Sequence, residues 1–374
     1  MLRDLGKLVI MSVRHRAKFA LFNVIFIGLV ASITLFSFEV LLRIRYAEPI
    51  RQASSEVLAI QQYLQLDPDI GFVWKTDIRE EENIIFDVRD IDLPPLSTDV
   101  NGFINPPGSI QALERGDPVD IIGLGDSFME HGAHGFHTLF QNAGFLYYSL
   151  AIQRQSPPQF LNVLKKYAAP LHPKWIVLGL FENDFPETED YDRWRESGMD
   201  WFAYHSGTWC GPPVPTDPLK SFYLDYFPGV DGLLRVLLGR LRIESISFSG
   251  PTEKQIERVV DLLAEIRQRT EAQGARFLLV LIPGRDTAIH GNSPASRAYD
   301  RIIEYFPPTS ILDLRPVFAS VPDPATLYYR EDAHWNAYGI EKAGNAIVEM
   351  IRGVLSVDTP NDEADAIRKT SPGE

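Results

Sequence analysis

Five short apolar runs do most to constrain what this chain can fold into: "VDIIGLG" (119–125), "GFLYYSL" (144–150), "KWIVLGLF" (174–181), "RFLLVLIP" (276–283) and "SILDL" (310–314). Continuous apolar runs of this length are strands buried on both faces, as in a parallel sheet. Stretches with helical spacing lie between and after them: 128–141, 156–171, 251–274, 294–306 and 336–355. The third is the clearest, with Pro-Thr-Glu at its start, a stripe at Ile256, Val259, Val260, Leu263 and Ile266, and Gly274 at its end. Alternation of this kind means right-handed βαβ units and a parallel sheet covered by helices on both sides. Ligands of such folds bind at the carboxyl ends of the strands. Ser127, in "GLGDSF", sits at one of those ends.

The chain has 374 residues, 45% of them hydrophobic, enough for one large α/β domain with additions. A net charge of −14 argues against a nucleic-acid partner, which needs clustered Lys and Arg. The single cysteine, Cys210, allows no intramolecular disulfide and no thiolate zinc cluster, and reads as a small packed apolar residue. Residues 19–38 carry no charge, and twenty residues at about 1.5 Å each span the roughly 30 Å of a bilayer core. Arg3, Lys7, Arg14, Arg16 and Lys18 precede them, so the expectation is a single-pass anchor over 19–42. A basic segment 1–18 would stay in the cytoplasm and the bulk of the chain outside it. A cleavable signal would end in a small-x-small site, which "SFEVLLRIR" lacks.

Between anchor and sheet domain, residues 46–116 read as an extended arm. It has a short helix over 56–66, strands at "GFVWK" and "NIIFDVRDI", and turns through 92–109. Residues 186–250 interrupt the alternation and carry Trp194, Trp201, Tyr204, Trp209, Tyr223 and Tyr226. Such an insertion beside the crevice forms a lid or a substrate wall with rings for sugar stacking, or builds a small core of its own. The tail 356–374 is polar and reads as disordered. The sheet domain is placed at 117–355.

Three strand ends carry polar residues that a core does not need: Asp126-Ser127, Asn183-Asp184 in "FEND", and Glu331, Asp332 and His334 in "EDAHW". Together they would supply a serine, a histidine base to activate it, an acid to orient that histidine, and a side-chain amide donor. Ser127 as a mere helix cap would explain its own position but not the other two blocks. His131, His134 and His137 invite a metal reading. Gly132 and Gly135 weaken that helix and no acidic ligand completes a site, so they are taken as a polar flank of the crevice. Asp126 is read as structural, bonding the turn that presents Ser127.

These blocks resemble the SGNH (GDSL) hydrolases, serine esterases and acyltransferases with a three-layer α/β/α, flavodoxin-like fold. "GDSF" matches their first block, "FEND" their third and "DAHWNAYG" their last, over about residues 117–353. The "D-x-HW" form is also similar to proteins of the alginate O-acetyltransferase type, which place the serine after the Asp–His pair. The resemblance implies Ser127 as nucleophile, His334 as base and Asp332 as the acid, with Glu331 second. It implies an oxyanion hole from the Ser127 and Arg154 N–H groups and Asn183. No metal or cofactor is implied. The second block departs from the family: "SLAIQR" puts Arg154 where a glycine usually donates its N–H, a position whose backbone conformation favours glycine. The expected function is a membrane-anchored serine esterase acting on acyl esters, acetyl among them, of an exported glycan or lipid. The alternatives are an O-acyltransferase acting on an extracellular polysaccharide and a non-catalytic glycan-binding member of the fold.

Overall fold

Parallel strands need both faces covered, and the buried strand residues here divide between two faces with the expected period of two. The computed structural model describes residues 23, 26–30, 32, 34, 36–38, 63–76, 78, 97–205, 250–291, 293–329 and 334–358. The chain divides into two compact units, Met1–Val57 with Pro213–Glu244, and Leu58–Pro212 with Ser245–Glu374. The described residues of the first unit are helical; in it Ser32 and Thr34 each donate a hydroxyl to the carbonyl four residues back, at 2.9 Å. Most of the expected anchor lies outside the described residues. Among those described, no helix is long and apolar enough to cross a membrane.

The second unit opens with a hairpin, β1 (Leu64–Asp67) against β2 (Gly71–Trp74). The expected helix over 56–66 is corrected at residues 64–66, which are strand, and residues 56–62 lie outside the described ones; the expected strand at "GFVWK" forms as β2. The ladder pairs Leu64 with Trp74 and Leu66 with Phe72, and Asp67 holds the connecting turn, its Oδ1 accepting the N–H groups of Asp69 and Ile70 (2.9 and 3.1 Å). The expected strand over 83–91 lies outside the described residues. Two-residue strands β3 (Ser97–Thr98) and β4 (Ile104–Asn105) pair around an Asp99 turn. Then follow α1 (Pro107–Glu114), β5 (Ile121–Leu124), α2 (Ser127–Asn142), β6 (Tyr147–Ser149), α3 (Pro157–Val163), β7 (Trp175–Leu180), α4 (Asp184–Ser197) and α5 (Trp201–Tyr204). After the undescribed 206–249, which hold Cys210, Trp209, Tyr223 and Tyr226, come α6 (Glu253–Ala272), β8 (Arg276–Leu281), α7 (Arg285–His290), α8 (Pro294–Tyr305), β9 (Ile311–Asp313), α9 (Leu314–Ala319) and α10 (Ala337–Asp358).

All five expected sheet strands form, parallel, in the order β6-β5-β7-β8-β9. On one face Ile122, Leu178 and Leu279 pack with the α6 stripe of Ile256, Val259, Leu263 and Ile266. On the other, Ile121, Val177 and Val280 pack with Phe136 of α2 and Ile347 of α10. These are the three layers α/β/α. The β1–β2 and β3–β4 residues Phe72, Trp74 and Phe103 join the α6-side core, as do Trp194 and Trp201. These two tryptophans are thus core residues and not exposed sugar platforms. The chain leaves β5 toward β6 and then crosses back to β7, so the topological switch falls between β5 and β7.

Candidate active site

Ser127 and Asn183 follow the two strands that flank the switch. At the end of β5 the chain turns sharply into α2. Gly125 has φ +148°, and a Cβ there would lie 2.5 Å from the Met129 Cγ and 3.1 Å from the Gly179 carbonyl oxygen. Only glycine allows so close a turn. Asp126 caps the helix, its Oδ1 accepting the Phe128 N–H at 3.0 Å. Ser127 is thereby the first residue of α2, half-buried, at the positive end of the helix dipole.

His334 arrives from the other end of the chain. Its Nε2 lies 2.7 Å from the Ser127 Oγ. Phe128 and His131 flank the imidazole, with ring centroids 4.9 and 4.4 Å away. The "HWN" sequence explains how a loop residue is held so closely. Trp335 is fully buried against Phe128 and Phe136. The Asn336 amide donates to the Thr326 and Tyr328 carbonyls, while its Oδ1 accepts the Tyr338 and Gly339 N–H groups that start α10. His334 thus sits between an apolar anchor and a helix cap. Asp332 and Glu331, the two expected acids, lie outside the described residues.

The second block comes alongside. Beyond β6 the ladder continues, with the N–H groups of Leu150 and Ile152 donating to the Gly123 and Gly125 carbonyls at 2.8 and 3.2 Å. A turn then runs from Ile152 to Gln155, closed by the Gln155 N–H on the Ile152 carbonyl at 3.3 Å. Arg154, third in that turn, has φ +58°. The backbone conformation that favours glycine is therefore reached by arginine.

Asn183 precedes α4. Its amide donates to the Glu187 Oε1 at 3.2 Å. It also acts on Asp126, the residue that caps the Ser127 helix. The structure therefore brings Ser127 and His334 into hydrogen-bond contact, while the contacts of Asn183 run to the carboxylates around them.

Of those carboxyls, Asp126 and Asp184 were expected at the strand ends, and Asp126 bonds the turn as expected, whereas Glu130 and Glu187 were not anticipated from the sequence. Burial pushes Asp126 up to about 6, against the opposing pull of the Phe128 N–H, His334 and Asn183. Burial also pushes Glu130 and Glu187 up to about 8; Asp126 adds to both shifts and Arg154 opposes the second. Asp184, bonded through Oδ2 to the Phe181 N–H at 2.7 Å, is raised in the same way. Spacing was the available signal: Glu130 lies three residues after Ser127 and Glu187 four after Asn183, each on its partner's helical face.

Of the three histidines in α2, His131 stands beside His334, as a flank of the crevice should. His137 is buried between the Ser109 hydroxyl and the Asn105 Oδ1, each 3.1 Å from a ring nitrogen. The His134 side chain lies outside the described residues. Among the described residues no cluster of His, Cys, Asp and Glu is arranged to hold a metal ion.

With this geometry in place, residues 247–372 match the family model of the SGNH hydrolase-like domain of the acetyltransferase AlgX. Over that stretch the chain is similar to an SGNH hydrolase-like domain. The matched region holds β8, β9 and His334, whereas Ser127 and Asn183 precede it. Solved structures that resemble the chain include a psychrotrophic esterase from Pseudoalteromonas (10% identity, TM-score 0.35, 63% of this chain and 98% of that one). A lipase/acylhydrolase from Enterococcus faecalis matches at 13% identity and TM-score 0.35, over 63% of this chain and 96% of that one. A GDSL-like lipase from Bacteroides thetaiotaomicron matches at 10% and 0.35, over 66% and 97%. Scores this low carry no argument about chemistry. The comparison with curated proteins returns no match.

Proposed function

We propose that this SGNH-like chain is a serine-dependent enzyme of acyl esters. The observation that carries the reading is the 2.7 Å contact between the Ser127 Oγ and the His334 Nε2 at the switch point of the sheet. Ser127 attacks the ester carbonyl as His334 takes its proton, and the imidazolium returns that proton to the departing alcohol. Asp332 orients His334. The N–H groups of Ser127 and Arg154, with the Asn183 amide, hold the oxyanion. Water then cleaves the acyl-serine. The substrate we propose is an acyl ester, acetyl among the candidates, on an exported glycan or lipid. The chain would be held at the membrane by residues 19–42, with the sheet domain outside the cytoplasm. The charge-free run and its basic N-terminal flank support that placement.

A second reading is favoured by the match to an acetyltransferase-type domain: the acyl-serine passes its acyl group to a sugar hydroxyl instead of to water.

The test is p-nitrophenyl acetate turnover by the full chain in detergent, beside its Ser127→Ala form. We expect the substitution to lower kcat roughly 10³-fold or more. A nitrophenol burst that stalls until a sugar is added would select transfer. Equal rates in the two proteins would refute the serine mechanism.

A further inference from the structure

Glu130 is buried one turn along α2 from Ser127 and has no part in the proton transfers above. Its two oxygens serve two different segments. The Oε1 accepts the Trp74 indole N–H at 2.7 Å, and the Oε2 accepts the Gln153 backbone N–H at 3.2 Å. Gln153 is the second residue of the Ile152–Gln155 turn, and the next N–H along the chain is that of Arg154. Trp74 belongs to the β1–β2 hairpin and is itself fixed, its backbone N–H donating to the Gly102 carbonyl at 3.2 Å.

A buried glutamic acid is a costly way to satisfy one indole N–H, for which an amide would do, because its carboxyl must either stay ionised away from water or take up a proton. What a carboxyl group offers, with or without its proton, is two oxygens that can each accept, so that two donors on separate segments are held at once. One of those donors lies next to a residue in a conformation that costs a non-glycine side chain about 1 kcal/mol. Such a conformation persists only where the surroundings fix it.

We propose that Glu130 is a positioning residue for the oxyanion-binding turn, and that through Trp74 it makes the β1–β2 hairpin part of the active site. The inference rests on the serine reading above. Glu130 holds the Gln153 N–H, which fixes the peptide that carries the Arg154 N–H toward the oxyanion. Trp74 holds the other carboxyl oxygen and sets the direction of the pair. Because the oxyanion exists only in the transition state, loosening this turn lowers kcat and leaves KM nearly unchanged.

The experiment compares Glu130→Gln, Trp74→Phe, the double variant and Ser127→Ala in p-nitrophenyl acetate turnover by the full chain. Glutamine keeps the shape but has one acceptor oxygen, and its amide nitrogen faces the second donor. Expected are a kcat 10- to 100-fold lower in Glu130→Gln with KM within about twofold, a smaller fall in Trp74→Phe, and a double variant no worse than Glu130→Gln alone. If Ser127→Ala abolishes turnover while Glu130→Gln and Trp74→Phe keep the wild-type kcat, the positioning role is overturned and the serine mechanism stands. A rise in KM matching the loss of kcat, or additive single effects, would also overturn it, since either marks general loosening. Should Glu130→Gln fail to fold, Trp74→Phe decides: a lower kcat at unchanged KM supports the role, and an unchanged kcat rejects it. Turnover that survives Ser127→Ala removes the serine reading itself.

Discussion

Gly125 shows how little freedom a single residue can have beside a reactive one. Its φ of +148° lets β5 end and α2 begin within two residues, and the side chain it lacks would press on Met129 and on the Gly179 carbonyl of the neighbouring strand. We expect Gly125→Ala to combine backbone strain with overpacking and to cost roughly 3 kcal/mol of stability. The backbone must shift to relieve the contact, and Ser127 moves with it. A displacement near 1 Å from His334 costs about 10²-fold in rate. Urea unfolding and p-nitrophenyl acetate kinetics on the same preparation check both. An alanine variant with wild-type stability and kcat would show that the turn has slack.

At the scale of elements, the sequence carried what depends on local pattern. The five sheet strands read out because each is a short apolar run between turn residues, and α6 because its stripe, cap and terminal glycine agree. Ser127 was legible as a strand-end polar residue that a core does not need; His334 was legible as a histidine ahead of the last helix, though it sits in a loop before α10 and not at the end of a strand. Of the hairpin over 64–74, β2 was legible in "GFVWK", but β1 was not, because Leu64, Leu66 and the preceding apolar residues also fit a helix. Only the Asp67 turn and the burial of Phe72 and Trp74 in the core select strand. Glu130 and Glu187 were passed over for a related reason: an acid on a helix normally faces water, and their burial depends on segments distant in sequence. The second block shows the opposite error, since an arginine in place of the family glycine weakens the block by identity alone while Arg154 takes the glycine-like φ of +58°. What the turn contributes to our proposed mechanism is an N–H, and every residue but proline has one. We therefore expect Arg154→Gly to keep kcat for p-nitrophenyl acetate within about twofold and to gain up to roughly 1 kcal/mol by relief of the left-handed conformation. A large loss of kcat would assign the chemistry to the guanidinium.

Over the whole second unit, buried acids set an unusual pH dependence. Asp126 is raised to about 6, Glu130 and Glu187 to about 8, and Asp184, Glu182 and Asp99 are raised too, in every case chiefly by burial. Each holds a proton in the folded chain at pH values where the unfolded chain has released it. Their contribution is fully present below the unfolded values near 4 and is lost as pH rises through the folded ones. Asp67 is shifted the other way: burial is opposed by the Lys166 ammonium at 2.6 Å and by further hydrogen bonds, which lower it overall. Its contribution is lost only below pH 4, outside this window. His205, which burial lowers to about 4, works the other way, its contribution growing up to the unfolded value near 6.5, so the net fall in stability should come between about pH 6.5 and pH 8. We expect the urea midpoint to be higher at pH 6.5 than at pH 8.5. Glu187→Gln, which keeps an acceptor for the Asn183 amide, should flatten that fall by on the order of 1–3 kcal/mol, with the gain appearing at pH 8.5. A midpoint that rises with pH, or a Glu187→Gln curve parallel to the wild type, would mean that these carboxyls are ionised at little cost in the folded chain.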